Sequence, residues 1–207
     1  MVLAAAARAA ATPLRRTREA LDLLEEAQSH LTAISRPAAA ELDAVGMVAL
    51  TAAYTAAYTA AQAQHPALAR NFAAQAEQTA HRLAHAPDTT NRPAELSAQQ
   101  CTLYRIGIDR ELGDLDTALA YAAALEPATL PTPERRARAA TDTARALLAA
   151  DDAAGAFAQL RLVKLVAPLE ARRPSVRTLT ARIAEHRPDL PGLAEYTRRT
   201  ATPGPYR

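Results

Sequence analysis

The sequence predicts an all-α protein, an α-solenoid of antiparallel helical hairpins with about nine helices. Three observations carry the prediction. Alanine makes up about a quarter of the 207 residues while glycine occurs only 6 times, and alanine is the strongest helix former, glycine among the weakest. Val, Ile, Phe and Trp are scarce and aromatic residues are 4% of the chain, which leaves little material for a sheet. A hairpin signal also recurs: Glu111-Leu112-Gly113-Asp114 is followed by Ala118-Leu119, and Ala150-Asp151-Asp152 by Ala156-Phe157. Each joins a short turn to an alanine, where two helix backbones close on each other, and then to a large apolar plug. Positions 113 and 151 stand 38 residues apart, within the spacing of about 34 to 45 residues at which helix–turn–helix repeats recur. A core of Ala and Leu is shallow and suits close helix packing in thin layers.

The elements follow from local punctuation. Residues 1–16 form an Ala/Arg-rich lead. Thr17 is placed as an N-cap with Glu19 and Asp22 in the first turns. Leu21, Leu24, Ala27, Gln28 and Leu31 then recur at helical spacing. Arg36-Pro37 ends this helix, because a residue before proline is pushed out of the helical region. Pro37 opens the next, from about Ala38 to Gln64, with Leu42, Val45, Val48, Ala49, Ala52 and Ala56 as its buried stripe and Tyr54 and Tyr58 on a core rim. After a turn at His65-Pro66 the partner helix runs to Ala86, with Leu68, Phe72, Ala76, Thr79 and Leu83 inward.

Pro87 to Pro93 reads as a loop, and Pro93-Ala94-Glu95 as the start of a helix through Glu111. Asp116 to Leu125 returns the chain to a Pro-rich connector from Glu126 to Pro133, expected to be stiff and extended. Thr132-Pro133 caps a helix to Ala150, and Asp152 caps one ending near Ala167-Pro168. Ser175–His186 and Leu190–Thr200 make the last pair, and 202–207 is a Pro/Gly tail. Residues 17–201 are thus expected to form a single helical repeat domain.

Charge bounds the partners. Of 24 basic residues Lys164 is the only lysine. Arginine in place of lysine, with abundant Ala and Pro, is the coding bias of a GC-rich genome such as an actinobacterium's, and is not a nucleic-acid signature. The formal net charge of +2 is too small to imply a polyanion partner. Its placement is uneven: both ends are basic and the body, 19–169, is acidic. That pattern fits ordinary solvated surface, or a basic end near a DNA-bound partner. A single cysteine, Cys101, excludes an internal disulfide and fits a reducing cytoplasm. No apolar run approaches the ~18 residues of a membrane span, and Met1–Ala11 lacks the basic segment of a signal peptide.

Several stretches together resemble one family. They are Leu103-Tyr104-Arg105-Ile106-Gly107-Ile108 leading into Glu111-Leu112-Gly113-Asp114; Leu130-Pro131-Thr132-Pro133-Glu134-Arg135-Arg136-Ala137-Arg138; Asp142-Thr143-Ala144-Arg145-Ala146; and Leu162 to Pro168 followed by Glu170 and Arg173-Pro174. This set resembles the C-terminal tetratricopeptide-like (TPR-like) half of actinobacterial XRE/Cro-type helix-turn-helix transcriptional regulators, over about residues 40–190. The Leu-Pro-x-Pro-Glu-Arg-Arg-Ala-Arg run is its most specific part. The resemblance implies a TPR-like solenoid acting as a sensor module, taking a peptide, small molecule or protein on its concave face, or forming a homodimer. Two departures stand out. Residues 1–36 are too short for such a regulator's N-terminal DNA-binding domain, so this chain alone is expected not to bind DNA with sequence specificity. A fragment, a late-assigned start and a stand-alone relative all fit that. Tyr104 also stands where the family often has histidine.

Candidate sites follow. Arg135, Arg136 and Arg138 lie in the first turns of a helix, where cations oppose the helix dipole. Glu134, Asp142, Glu111 or Asp116 can offset them as salt bridges; the other reading is capture of an anion or peptide carboxylate by the forked guanidinium of Arg135 or Arg138, with Asp142 beside them in the candidate partner-binding set. Arg105 and Asp109 are one turn apart beside Tyr104, and Gln100, Tyr104 and Arg105 are expected to face a groove or to hydrogen-bond structurally. Glu77, His81 and His85 share a helix face, but the first and last are about 12 Å apart along it, so they cannot share one ion. A Glu77–His81 surface pair is expected there. No nucleophile arrangement or Gly-rich phosphate loop occurs, so neither catalysis nor a cofactor is expected. The alternative to a regulator's sensor half is a stand-alone scaffold with no link to transcription.

Overall fold

The computed structural model describes residues 17–33, 38–63, 66–86 and 95–201. Every regular element among them is helical, with no strand. Nine α-helices follow in order among the described residues: α1 (Thr17–Thr32), α2 (Ala39–Ala63), α3 (Pro66–Ala84), α4 (Ala98–Glu111), α5 (Leu115–Ala124), α6 (Pro133–Ala149), α7 (Ala153–Val166), α8 (Pro174–His186) and α9 (Leu193–Ala201). The lead expected at 1–16 and the tail at 202–207 lie outside the described residues. Where a single repeat domain is expected over 17–201, the chain divides into two compact units, Met1–Asp114 and Leu115–Arg207. Stacked hairpins and separate domains both give such a division, since each repeat touches only its neighbours.

In the first unit α2 is the centre: α1, α3 and α4 all pack on it, and α3 also meets α4. The reason is in its sequence. From Gly46 to Ala57 there is no charged residue, and every residue but Tyr54 is buried. A helix apolar on all sides must be enclosed on all sides, so the single buried stripe expected for α2 is replaced by burial all round. Thr51 and Thr55 within this stretch remain satisfied, because their hydroxyls each donate 2.8 Å back to a carbonyl one turn earlier. Helix α4 starts at Ala98 instead of near Pro93. Ser97 is extended, with φ −150°, and its hydroxyl accepts the Gln100 N–H at 3.1 Å, while the Leu96 N–H donates to Asp43 Oδ1 at 2.6 Å. The cap and this tether fix the start of the helix.

In the second unit each helix packs on the next, from α5 through α9, and α6 also touches α8. Ala137, Ala140, Ala144 and Leu148 give α6 one buried stripe, part of a core that includes Ala156, Leu160 and Val163 of α7 and Ile183 of α8. Small residues at this helical spacing are what permit close approach. The connector expected to be extended contains a 3-10 turn, Pro127–Thr129, because the Thr129 N–H and hydroxyl both donate to the Glu126 carbonyl, at 3.0 and 2.7 Å. A second 3-10 turn, Glu170–Arg172, joins α7 to α8.

The two turn signals are the same device. After α4, Gly113 has φ +80°, its N–H donates to the Arg110 carbonyl, and the Asp114 N–H donates to the Asp109 carbonyl. After α6, Asp151 has φ +61°, its N–H donates to Leu148, and the Asp152 N–H donates to Leu147. Both are Schellman caps, with the left-handed residue 38 positions apart. Glycine holds that conformation without a Cβ penalty; Asp151 does not. Asp151→Gly is therefore expected to raise stability by about 0.5–1 kcal/mol, and Gly113→Ala to lower it by about 1 kcal/mol. Urea denaturation of the two variants checks both signs.

Candidate functional site

The six sequence-predicted residues fall in two groups, Gln100, Tyr104 and Arg105 on α4 and Arg135, Arg138 and Asp142 on α6, in different units. On α4, Gln100 and Tyr104 are enclosed and do not stand on an open face; their residues are 1% and 5% exposed. The Tyr104 ring meets Tyr54 of α2 edge-on, centroids 6.3 Å apart. Tyr58, paired with Tyr54 by spacing, lies outside the described side chains. Arg105 donates through Nε to Asp109 Oδ2 at 2.8 Å and reaches Glu77 Oε1 of α3 at 3.4 Å. The i, i+4 pair is thus made, and Asp109 is fully buried. Glu77 serves Arg105 in place of the expected His81 partner, since α3 packs against α4. His81 and His85 lie ring against ring at 4.5 Å, with His85 Nδ1 2.8 Å from the His81 carbonyl. Among the described residues no three His, Cys, Asp or Glu side chains are grouped to hold a metal. Both polar atoms of the Gln100 amide are buried without a hydrogen-bond partner among the described residues, as is Asp109 Oδ1.

On α6 the arginines have structural work. The Thr132 hydroxyl accepts the Arg135 N–H at 3.2 Å, which caps the helix. Glu134 beside it is held below the usual glutamate range by its backbone hydrogen bond and by Thr132. Arg136 donates to the Leu130 carbonyl at 3.2 Å, tying the helix start to the connector. Asp142, 1% exposed, accepts from Arg145 at 2.6 Å and from Arg138 at 3.4 Å. Asp142 is therefore one partner that offsets Arg138. Arg145, one turn further on, is its second partner and was not among the expected ones.

The sequence reading missed a third place. In the second unit α7, α9 and the Pro191-Gly192 turn border a cleft of about 480 Å³. Phe157 and Tyr196 meet in it edge-on with centroids 5.6 Å apart, and both are buried. The Tyr196 hydroxyl donates to the Leu160 carbonyl at 2.9 Å, which seats α9 against α7. Lys164 places its ammonium 5.5 Å from the Tyr196 ring centroid. Arg161 lies along the same cleft and Arg199 is ion-paired to Glu195 at 2.5 Å. Leu165 on its border is 76% exposed; Leu162 and Leu169, at i−3 and i+4, are exposed as well. The available signal was the Leu162-Leu165-Leu169 spacing, which puts large apolar groups off the core stripe of Phe157, Leu160 and Val163.

Two ionisable groups are perturbed by burial. The Cys101 thiol is pushed up to about 12, mainly by desolvation and then by the Glu77 carboxylate. The Tyr196 phenol is also pushed up to about 12, by desolvation. Both shifts favour the neutral form in the folded chain, so their stability contribution is whole below the ordinary values of 9.0 and 10.0 and is lost as pH rises through about 12. The urea midpoint is expected to hold up to about pH 9 and then fall, with Tyr196→Phe flattening part of the decline. Cys101 is expected to resist thiol reagents until the protein unfolds, which a reagent titration with and without urea reads directly.

No protein-family model, curated protein or solved structure matches the chain. No helix among the described residues is long and apolar enough to cross a membrane.

Proposed function

We propose that the chain is a non-catalytic interaction module, a TPR-like solenoid similar to the sensor half of an XRE-type regulator, which binds a protein or peptide through its helical surface. The observation that carries this is a contrast in how side chains are used. Groups with reactive potential are committed to structure: Asp109 and Asp142 hold arginines, and the Cys101 thiol is buried and kept protonated. Large apolar groups are meanwhile left outside, at Leu162, Leu165 and Leu169, beside a cationic cleft, and exposed apolar patches mark interaction sites. The packing of each helix of the second unit on its successor, with α6 also on α8, supports the solenoid reading.

Affinity capture from a native lysate tests it, with the chain as bait beside Leu165→Glu. A defined protein retained by the wild type is the expected result, and its loss with the variant assigns the contact to the Leu165 surface; retention of no defined protein by the wild type overturns the reading. Duplex DNA is expected to bind weakly and without sequence preference, because few phosphates are reached by so small a net charge. Sub-micromolar sequence-specific binding by the purified chain overturns that.

A further inference from the structure

The cleft between α7 and α9 specifies its occupant by charge. Arg161, Lys164 and Arg199 border it against a single acid, Glu195, which is already paired with Arg199. Arg161 makes no hydrogen bond or ion pair with any described residue, and it is exposed. Lys164 lies over the Tyr196 ring, which places its ammonium at the cleft, and it makes no ion pair with any described residue. Below these cations lie two aromatic rings, and beside them Leu165 stands exposed. A ligand with acid alone would leave Leu165 and the rings unused; an apolar ligand alone would bury Arg161 and Lys164 without a counter-charge, which is costly. Leu162, one turn before Leu165 on the α7 surface, and Leu169, in the turn beyond the helix, carry exposed apolar surface past the cleft itself. A ligand matching that length is a peptide segment in preference to a compact metabolite.

We infer that this cleft docks an acidic amphipathic peptide helix, its apolar face on Leu165 and the cleft rings and its carboxylates on Arg161 and Lys164. The inference rests on reading the chain as an interaction module and names the chemistry of the partner. Such a helix lays apolar anchors at turn spacing into a groove, and the exposed cations steer it and set its orientation. Because Arg161 is exposed, the electrostatic share weakens as salt screens it.

The test uses the full chain and a fluorescein-labelled peptide of about three helical turns, with Leu on one face and Glu on the other. Its controls are the same peptide with each Glu replaced by Lys, a scrambled order of the same composition, and a duplex DNA of equal charge. The acidic amphipathic peptide is expected to bind, to weaken with salt, and to lose about tenfold or more in affinity to the Arg161→Glu/Lys164→Glu chain and to Leu165→Ser. These substitutions are made at surface positions, and an unchanged melting temperature shows that the loss is local. Equal binding of the Lys peptide, of the scrambled peptide or of DNA overturns the inference, as does unchanged affinity in the charge-reversed chain. If lysate capture still yields a partner that survives Leu165→Ser and the charge reversal, the interaction module stands and only this site and its ligand class fall.

Discussion

Asp142→Ala is expected to cost about 2–3 kcal/mol of stability, a fall of about 5–10 °C in melting temperature for a chain of this size. Asp142 is almost fully buried and its two oxygens are divided between Arg145, at 2.6 Å, and Arg138, at 3.4 Å. Removing one partner of a buried pair costs about 3–5 kcal/mol when the remaining charge stays trapped. Here the Arg138 and Arg145 side chains are 34% and 27% exposed, so both can turn toward water, which places the loss below the top of that range. Arg138→Ala is expected to cost about 1 kcal/mol or less, because the shorter Arg145 contact keeps the carboxylate satisfied. Chemical denaturation of the two single variants reads this order. It also decides between the two uses of the arginines on α6: a stability loss led by Asp142 with partner binding unchanged assigns them to structure, whereas a binding loss in Arg138→Ala at unchanged stability assigns them to recognition.

Local features were legible because local chemistry makes them. Thr132 and Asp152 cap α6 and α7 through their own side chains, and such caps are written in single residues. The Arg105–Asp109 and Arg138–Asp142 pairs were legible from their spacing of four, which puts side chains one above the other on a helix. What depends on packing was not. Periodicity gave α2 one buried face, but its neighbours cover the other faces, and only the lack of charge from 46 to 57 hinted at it. The start of α4 was misplaced because the Leu96 N–H is held by Asp43, 53 residues earlier. The α7–α9 cleft needs Lys164 against Tyr196 and Tyr196 against Leu160, contacts over more than thirty positions that no window of sequence contains.

Gly46→Val is expected to destabilise the first unit by about 3 kcal/mol, and the sign is not obvious beforehand. Gly46 lies in the interior of α2, where glycine is about 1 kcal/mol worse than alanine, so propensity alone favours replacing it. Packing opposes that. A Cβ at position 46 would overlap Leu96 Cδ2 and stand 2.9 Å from Cδ1 and 3.0 Å from Cγ, so a change of side-chain rotation at the tip does not clear it. Leu96 cannot withdraw easily, being 2% exposed with its N–H held by Asp43. Overpacking of this kind costs about 1–3 kcal/mol. For Gly46→Ala the propensity gain offsets part of the packing cost, leaving about 1 kcal/mol of loss. Valine adds two methyl groups to the clash and gives up part of the propensity gain, so packing wins clearly. Leu96→Ala in the Gly46→Val background is expected to recover stability, with a coupling of about 1 kcal/mol or more in the double-mutant cycle. Additive losses would mean that α2 and the start of α4 do not press on each other at this point. The close approach matters beyond stability, because the residues after Leu96 set where α4 begins and so where Gln100, Tyr104 and Arg105 lie within the first unit.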